Sequence, residues 1–165
     1  MKKEQGFSLV ELLIVVAIIA IIAAIAVPSL LTSRMAANEA GAIESCRTAG
    51  SAEVAFASTN NQNYTTLQTL VDQNYLDARF TEGSGLNGYV FSEDDIIMFP
   101  APTIAIPTRV EQGGFGILAE PQSPGYGRYS YGIAPDQVVR YQKTNNGIHP
   151  AGLVPGNPIG MSKSQ

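Results

Sequence analysis

The chain has 165 residues, a formal net charge of −4, ten scattered Lys and Arg residues and one cysteine. That length suits one domain plus an appendage. A lone Cys46 excludes an intramolecular disulfide, and the absence of clustered positive charge gives no support for nucleic-acid binding.

The apolar content is concentrated at the start. Residues 1–6 read Met-Lys-Lys-Glu-Gln-Gly, and Phe7 opens an apolar run that carries no charge from Leu12 to Ser33. Roughly 20 such residues span a bilayer as a helix. Lys2 and Lys3 precede the run and Arg34 follows it, so the leading end is expected to stay in the cytoplasm and the rest to lie across the membrane. An ordinary secretory signal has a shorter apolar core and a small-residue cleavage site. Ala24-Ile25-Ala26 imitates that site, but the run continues through Val27, Leu30 and Leu31. A plain anchor leaves Glu11 unexplained, because a charge within an apolar helix costs at least ~2.5 kcal/mol near the bilayer centre. A first-turn carboxylate does gain from the helix dipole.

The string Gly6-Phe7-Ser8-Leu9-Val10-Glu11-Leu12 resembles the processing signal of type IV pilins and pseudopilins, over about the first 35 residues. The resemblance implies a class III leader peptide. A membrane prepilin peptidase would cut between Gly6 and Phe7 and methylate the new amine of Phe7. It also implies that Glu11 neutralises the N-terminal amine of a neighbouring subunit. Two ions that are costly to bury separately are tolerable as a pair, and a single polar pair within an apolar seam fixes register. Pro28 removes a backbone hydrogen bond and clashes with the preceding turn, so a kink or opening is expected over Ala24–Pro28. In pilins a matching proline marks the segment that unwinds in the filament.

Helical spacing continues past the apolar run. Ala36, Ala40, Ile43, Cys46, Gly50, Val54 and Ala57 recur every three or four residues and are expected to face a sheet. Asn38, Glu44, Arg47, Ser51 and Ser58 take the other side. Cys46 reads best as a small apolar residue on that face, against a crosslinking or reactive thiol. The helix is expected to run from about Ser8 to about Ala57 and to end in the polar cluster Ser58–Asn63. At 1.5 Å per residue that is on the order of 75 Å, too long for this domain to bury, so its first half must meet lipid or other subunits.

A short second helix is expected over Thr65–Asp72, capped by Thr65 or Thr66, with Leu67, Leu70 and Val71 inward and Tyr75, Leu76 and Phe80 continuing the core. Strands are expected at 88–91, 95–99, 115–119, 128–132 and 137–141, each bounded by Gly, Pro, Asn or Asp. They suit an antiparallel meander packed on the helix. Gly88-Tyr89-Val90-Phe91, Leu118-Ala119-Glu120-Pro121, Gly125–Gly127 and Val138-Val139-Arg140 resemble, more loosely, the strand order of a subset of bacterial pilin-like proteins. Residues 100–114 read as an exposed Pro/Gly loop. Residues 144–165 read as an extended or partly disordered tail.

The chain shows no catalytic constellation. His149 has no ligand at metal spacing. Gly83-Ser84-Gly85 lacks the context of a phosphate loop and reads as a turn. Glu93-Asp94-Asp95 reads as a solvated turn before a weak calcium site. The calcium loop of type II secretion pseudopilins has only Asp136 in the corresponding region. Tyr126, Tyr129, Tyr131 and Tyr141 read as cross-strand pairs before an adhesive surface.

The sequence therefore points to an α+β protein. Residues 1–6 form the leader, 7–33 the transmembrane and assembly helix, 34–143 the globular domain and 144–165 the tail. No metal, cofactor or enzymatic role is expected. The resemblance implies a type IV pilus subunit serving adhesion, twitching or DNA uptake. Its partners would be copies of itself, prepilin peptidase, inner-membrane assembly machinery and, before assembly, membrane lipid. It would move from the inner membrane to a surface pilus. The alternatives are a periplasmic secretion pseudopilin and a non-polymerising tethered binding module.

Overall fold

A computed structural model describes residues 7–81, 85–93, 114–143 and 157–158. The chain divides into two units between Arg34 and Met35. The first unit contains the start of helix α1, Leu9–Thr59, whose helical assignment is continuous through the division and through Pro28.

The second unit is α+β. After α1 come α2, Leu67–Asp72, and a single 3-10 turn, Ala78–Phe80. Among the described residues six strands follow: β1 (Gly85–Leu86), β2 (Tyr89–Glu93), β3 (Ile117–Pro121), β4 (Tyr129–Ile133), β5 (Arg140–Lys143) and β6 (Asn157–Pro158). They lie in chain order in one sheet, each antiparallel to the next. Such a meander needs only local connections, and its strands alternate between a covered and an open face. Tyr89, Phe91, Ile117, Ala119, Tyr131 and Ile133 are buried from β2, β3 and β4.

The sheet meets a helix face of small residues. Ala42, Cys46 and Ala49 are fully buried, which lets the helix backbone come close while large sheet side chains fill the gap. The buried face follows Glu39, Ala42, Cys46, Ala49, Glu53 and Phe56, alternating three and four residues as a packed helix stripe does. Of the expected stripe, Cys46, Gly50 and Ala57 are buried and Ile43 packs partly buried against the core, whereas Ala36, Ala40 and Val54 are exposed. The cause is chemical. Two positions of the true stripe are glutamates, which a search for apolar residues skips.

Helix α1 stops where the polar cluster begins. Asn61 and Gln62 adopt positive φ of 55° and 62°, and Gln62 N–H returns to the Ala57 carbonyl at 2.8 Å. Thr66 caps α2, its side chain accepting from Thr69 N–H at 3.2 Å. Leu67 and Leu70 are buried, and Val71 packs partly buried against the core.

β1 was not anticipated. It forms a two-residue hairpin with β2 through Asn87 and Gly88, both at positive φ, the conformation Asn-Gly favours. β5 begins three residues later than expected, because Gln137 is held at φ 59° and its side chain donates to the Gly50 carbonyl at 3.2 Å. Asn157–Pro158, within the expected tail, pair with β5. The expected strand at 95–99 and most of the 100–114 loop lie outside the described residues.

Candidate functional site

The site built by the first residues is a helix end followed by a bare apolar surface. Ser8 precedes the first helical residue. Its Oγ accepts from Val10 N–H at 3.2 Å, and its own N–H donates to Glu11 Oε2 at 2.9 Å. This is the reciprocal arrangement of a capping box, which satisfies two of the four orphan donors of a helix start. The Ser-x-x-Glu spacing announces it, and the sequence reading passed over it. Glu11 is therefore held by its own chain, with its charge at the positive end of the helix dipole. Phe7 stands immediately outside the cap, 92% exposed.

From Leu9 to Leu31 every large apolar side chain is at least half exposed, Val15 the least at 50%. These residues occupy all sides of the helix. A helix apolar all round needs lipid or protein on every side, and none of the described residues supplies it. The segment is long and apolar enough to cross a membrane. Two hydroxyls just beyond it are satisfied within the helix. Thr32 Oγ1 donates to the carbonyls of Ser29 (2.9 Å) and Pro28 (3.3 Å), and Ser33 Oγ donates to that of Ser29 (2.9 Å). Such back-bonding lowers the cost of placing a hydroxyl in an apolar medium. Pro28 has no N–H for the Ala24 carbonyl, so this turn is held by one fewer bond than its neighbours.

The remaining candidates are scattered. Cys46 is buried without access to solvent, and burial pushes its thiol up to about 12. Glu93 accepts the N–H of Leu67 at the start of α2. Asp136 pairs with Arg140 at the β4–β5 turn. Asp94, Asp95 and His149 lie outside the described residues. Among the described residues no group of three or more His, Cys, Asp or Glu could hold a metal ion.

The tyrosines mostly pair across strands. Tyr131 is buried and tilted against Tyr89 at 5.9 Å, and Tyr129 meets Tyr141 edge to face at 5.4 Å. Only Tyr126 of the four is exposed. An open groove of about 430 Å³ runs between α1 and the 3-10 turn, lined by Gly41, Ser45, Leu76, Asp77, Phe80 and Leu86 among others. Of its charged lining residues, Asp77 pairs with Arg79, and Glu44 pairs with Arg47, which lies outside the groove.

Residues 1–27 match the family model described as the prokaryotic N-terminal methylation motif. No characterised protein and no solved structure matches the chain significantly. The motif ends within an exposed apolar helix, and the match supports a prepilin-type class III leader peptide at the start of the chain.

Proposed function

We propose that the chain is a structural subunit that polymerises into a type IV pilus through its N-terminal helix. The observation that carries this reading is the apolar surface from Leu9 to Leu31, exposed on every side and headed by one carboxylate, Glu11. Burying a Leu, Ile or Val side chain contributes about 1.5–3 kcal/mol. A surface of this size is therefore stable in lipid before assembly and in a bundle of like helices after it.

Processing takes place in the inner membrane. Prepilin peptidase cuts between Gly6 and Phe7, and the amine of Phe7 is methylated. Methylation keeps its charge, so the amine remains a partner for a carboxylate. In the free chain Glu11 accepts from Ser8 N–H. On docking, Glu11 turns to the amine of a neighbouring subunit, and burial away from water strengthens that pair. The turn at Pro28, short of one hydrogen bond, is where the helix opens as it packs. The inner-membrane assembly machinery drives extraction from lipid, and the sheet unit forms the filament's outer layer.

The test is the intact mass and N-terminal sequence of the protein in sheared cell-surface material, for wild type and Glu11→Ala. The reading expects a wild-type chain that begins at N-methylated Phe7 in that fraction. It expects Glu11→Ala to insert in the membrane, to be processed and to be lost from the sheared fraction. A processed chain that stays with the cell envelope would favour a secretion pseudopilin. Retention of Met1–Gly6 on the mature protein would overturn the assembly mechanism.

A further inference from the structure

Two carboxylates from different elements hold one short connection. Residues 60–66 join α1 to α2. Glu53 reaches from α1 and accepts the Thr65 N–H at 3.1 Å, and Glu93 reaches from the end of β2 and accepts the Leu67 N–H. The two donors are neighbours but one along the chain. Tyr64 adds a ring contact, meeting Phe115 edge on with centroids 5.0 Å apart. The bonds from Gln62 N–H to the Ala57 carbonyl and from Asn63 N–H to that of Asn60 stay at the end of α1.

The surroundings of the two carboxylates differ. Glu53 is buried and Glu93 is exposed. One turn to either side of Glu53 on α1 stand Ala49, Gly50, Phe56 and Ala57, which carry no charge. From the α2 side Glu53 meets the Thr65 N–H, and the titratable side chain next along that segment is Tyr64. From the sheet, the charge that acts on it is Glu93. A buried carboxylate beside a like charge is costly, and one hydrogen bond offsets only part of that cost. The base of the connection is also strained. Asn61 and Gln62 adopt φ of 55° and 62°, and Gln62 in particular occupies a region that residues other than Gly, Asn and Asp seldom visit.

We infer that the connection and the first turn of α2 form a flap controlled by pH, which a protonated Glu53 holds shut and an ionised Glu53, repelled by Glu93, releases. Opening lifts Thr65 away from α1 and lets water reach the Glu53 carboxylate, while the sheet stays folded. It also frees Asn61 and Gln62 to return to ordinary φ. Burial is the main cause that holds the Glu53 carboxyl up, from 4.5 to about 7; the Thr65 hydrogen bond opposes it and the Glu93 charge adds to it. A carboxyl that binds its proton more tightly closed than open favours the closed form at low pH. The flap is therefore held most firmly below pH 4.5 and loosens as pH rises towards about 7.

The two held amides report the flap directly. Hydrogen exchange of the detergent-solubilised full chain is followed residue by residue between pH 5.5 and pH 8, each rate corrected for the intrinsic rate at that pH. Protection at Thr65 and Leu67 should fall roughly twentyfold across the interval. It should stay below that of the β2 and β3 amides and be insensitive to low urea, because a local opening exposes little surface. Glu53→Gln should abolish the fall, and Glu93→Gln, which removes the like charge but keeps an acceptor for Leu67, should make it smaller. Protection at Thr65 and Leu67 that equals the strands' and shares their urea dependence would mean release by global unfolding alone, and the flap would be refuted. That comparison needs only the wild-type chain, so it decides even where a variant fails to fold. A fall of wild-type size in folded Glu53→Gln refutes the role of Glu53, and an unchanged fall in folded Glu93→Gln refutes the repulsion.

Discussion

Arg128 binds Glu39 three times across 89 positions of chain: its backbone N–H at 2.8 Å and its guanidinium at 3.1 and 3.0 Å. The carboxylate is nearly buried, whereas the guanidinium is more than half exposed. The two sides of the pair are therefore unequal. Charged hydrogen bonds of this kind raise the affinity of Arg128 for its proton, and they tie the β3–β4 loop to α1.

That inequality predicts which substitution hurts more. Arg128→Ala leaves a buried carboxylate with only the backbone N–H, and its cost should be about 2 kcal/mol. Glu39→Gln keeps an acceptor for that N–H and leaves Arg128 in water, so its cost should be nearer 1 kcal/mol. Denaturant midpoints of the detergent-solubilised chain measure both. A larger loss in Glu39→Gln would show that the pair does not have this asymmetry.

A second buried carboxylate makes stability depend on pH. Glu53 is 1% exposed and accepts from Thr65 N–H at 3.1 Å. Burial pushes its carboxyl up from 4.5 to about 7; the Thr65 hydrogen bond opposes this, and the Glu93 charge adds to it. A group that holds its proton more tightly folded than unfolded favours the fold at low pH. Its contribution is full below pH 4.5, declines as pH rises to about 7, and is lost above that. The decline should be roughly 1–3 kcal/mol. Glu53→Gln should flatten the thermal-stability profile over that interval and be the more stable protein at pH 8. An unchanged slope in that variant would assign the pH dependence to another group.

The same two glutamates show what the sequence could and could not reveal. The apolar run, the processing motif and the end of α1 near Ser58 were legible, because each depends on local composition and spacing. The inward face of α1 was legible only in part: Cys46, Gly50 and Ala57 were on the expected stripe, but Glu39 and Glu53 belong to it only through contacts with Arg128 and Thr65 that helical spacing does not announce. The Asn87-Gly88 hairpin and the Ser8–Glu11 cap carried plain local signals that the reading of strands and charges passed over. The late start of β5 depends on Gln137 reaching the Gly50 carbonyl, a contact with no sequence signature.

Cys46 should behave as a core side chain. It is fully buried between α1 and the sheet, and its raised thiol leaves almost no thiolate at neutral pH. Iodoacetamide should leave the native protein unmodified and alkylate Cys46 fully in denaturant, as read by intact mass. Rapid labelling of the native chain would place Cys46 on the surface and reopen the crosslinking role.

The last prediction concerns Gly127, in the loop that carries Arg128. A Cβ there would stand 2.0 Å from the Tyr89 hydroxyl and 2.7 Å from Cζ. Tyr89 cannot easily move, because its ring is fully buried and its hydroxyl donates to the Tyr129 carbonyl at 2.8 Å. Gly127→Ala should therefore cost about 1–3 kcal/mol through overpacking, and it should loosen the Arg128–Glu39 contact next to it. Tyr89→Phe removes the atom in closest conflict, at the cost of one hydrogen bond, about 1 kcal/mol. The double variant should then lose less than the two single losses together, because part of each penalty comes from the same contact. Strictly additive losses would mean that the loop relieves the clash by moving away from β2 instead of pressing on Tyr89.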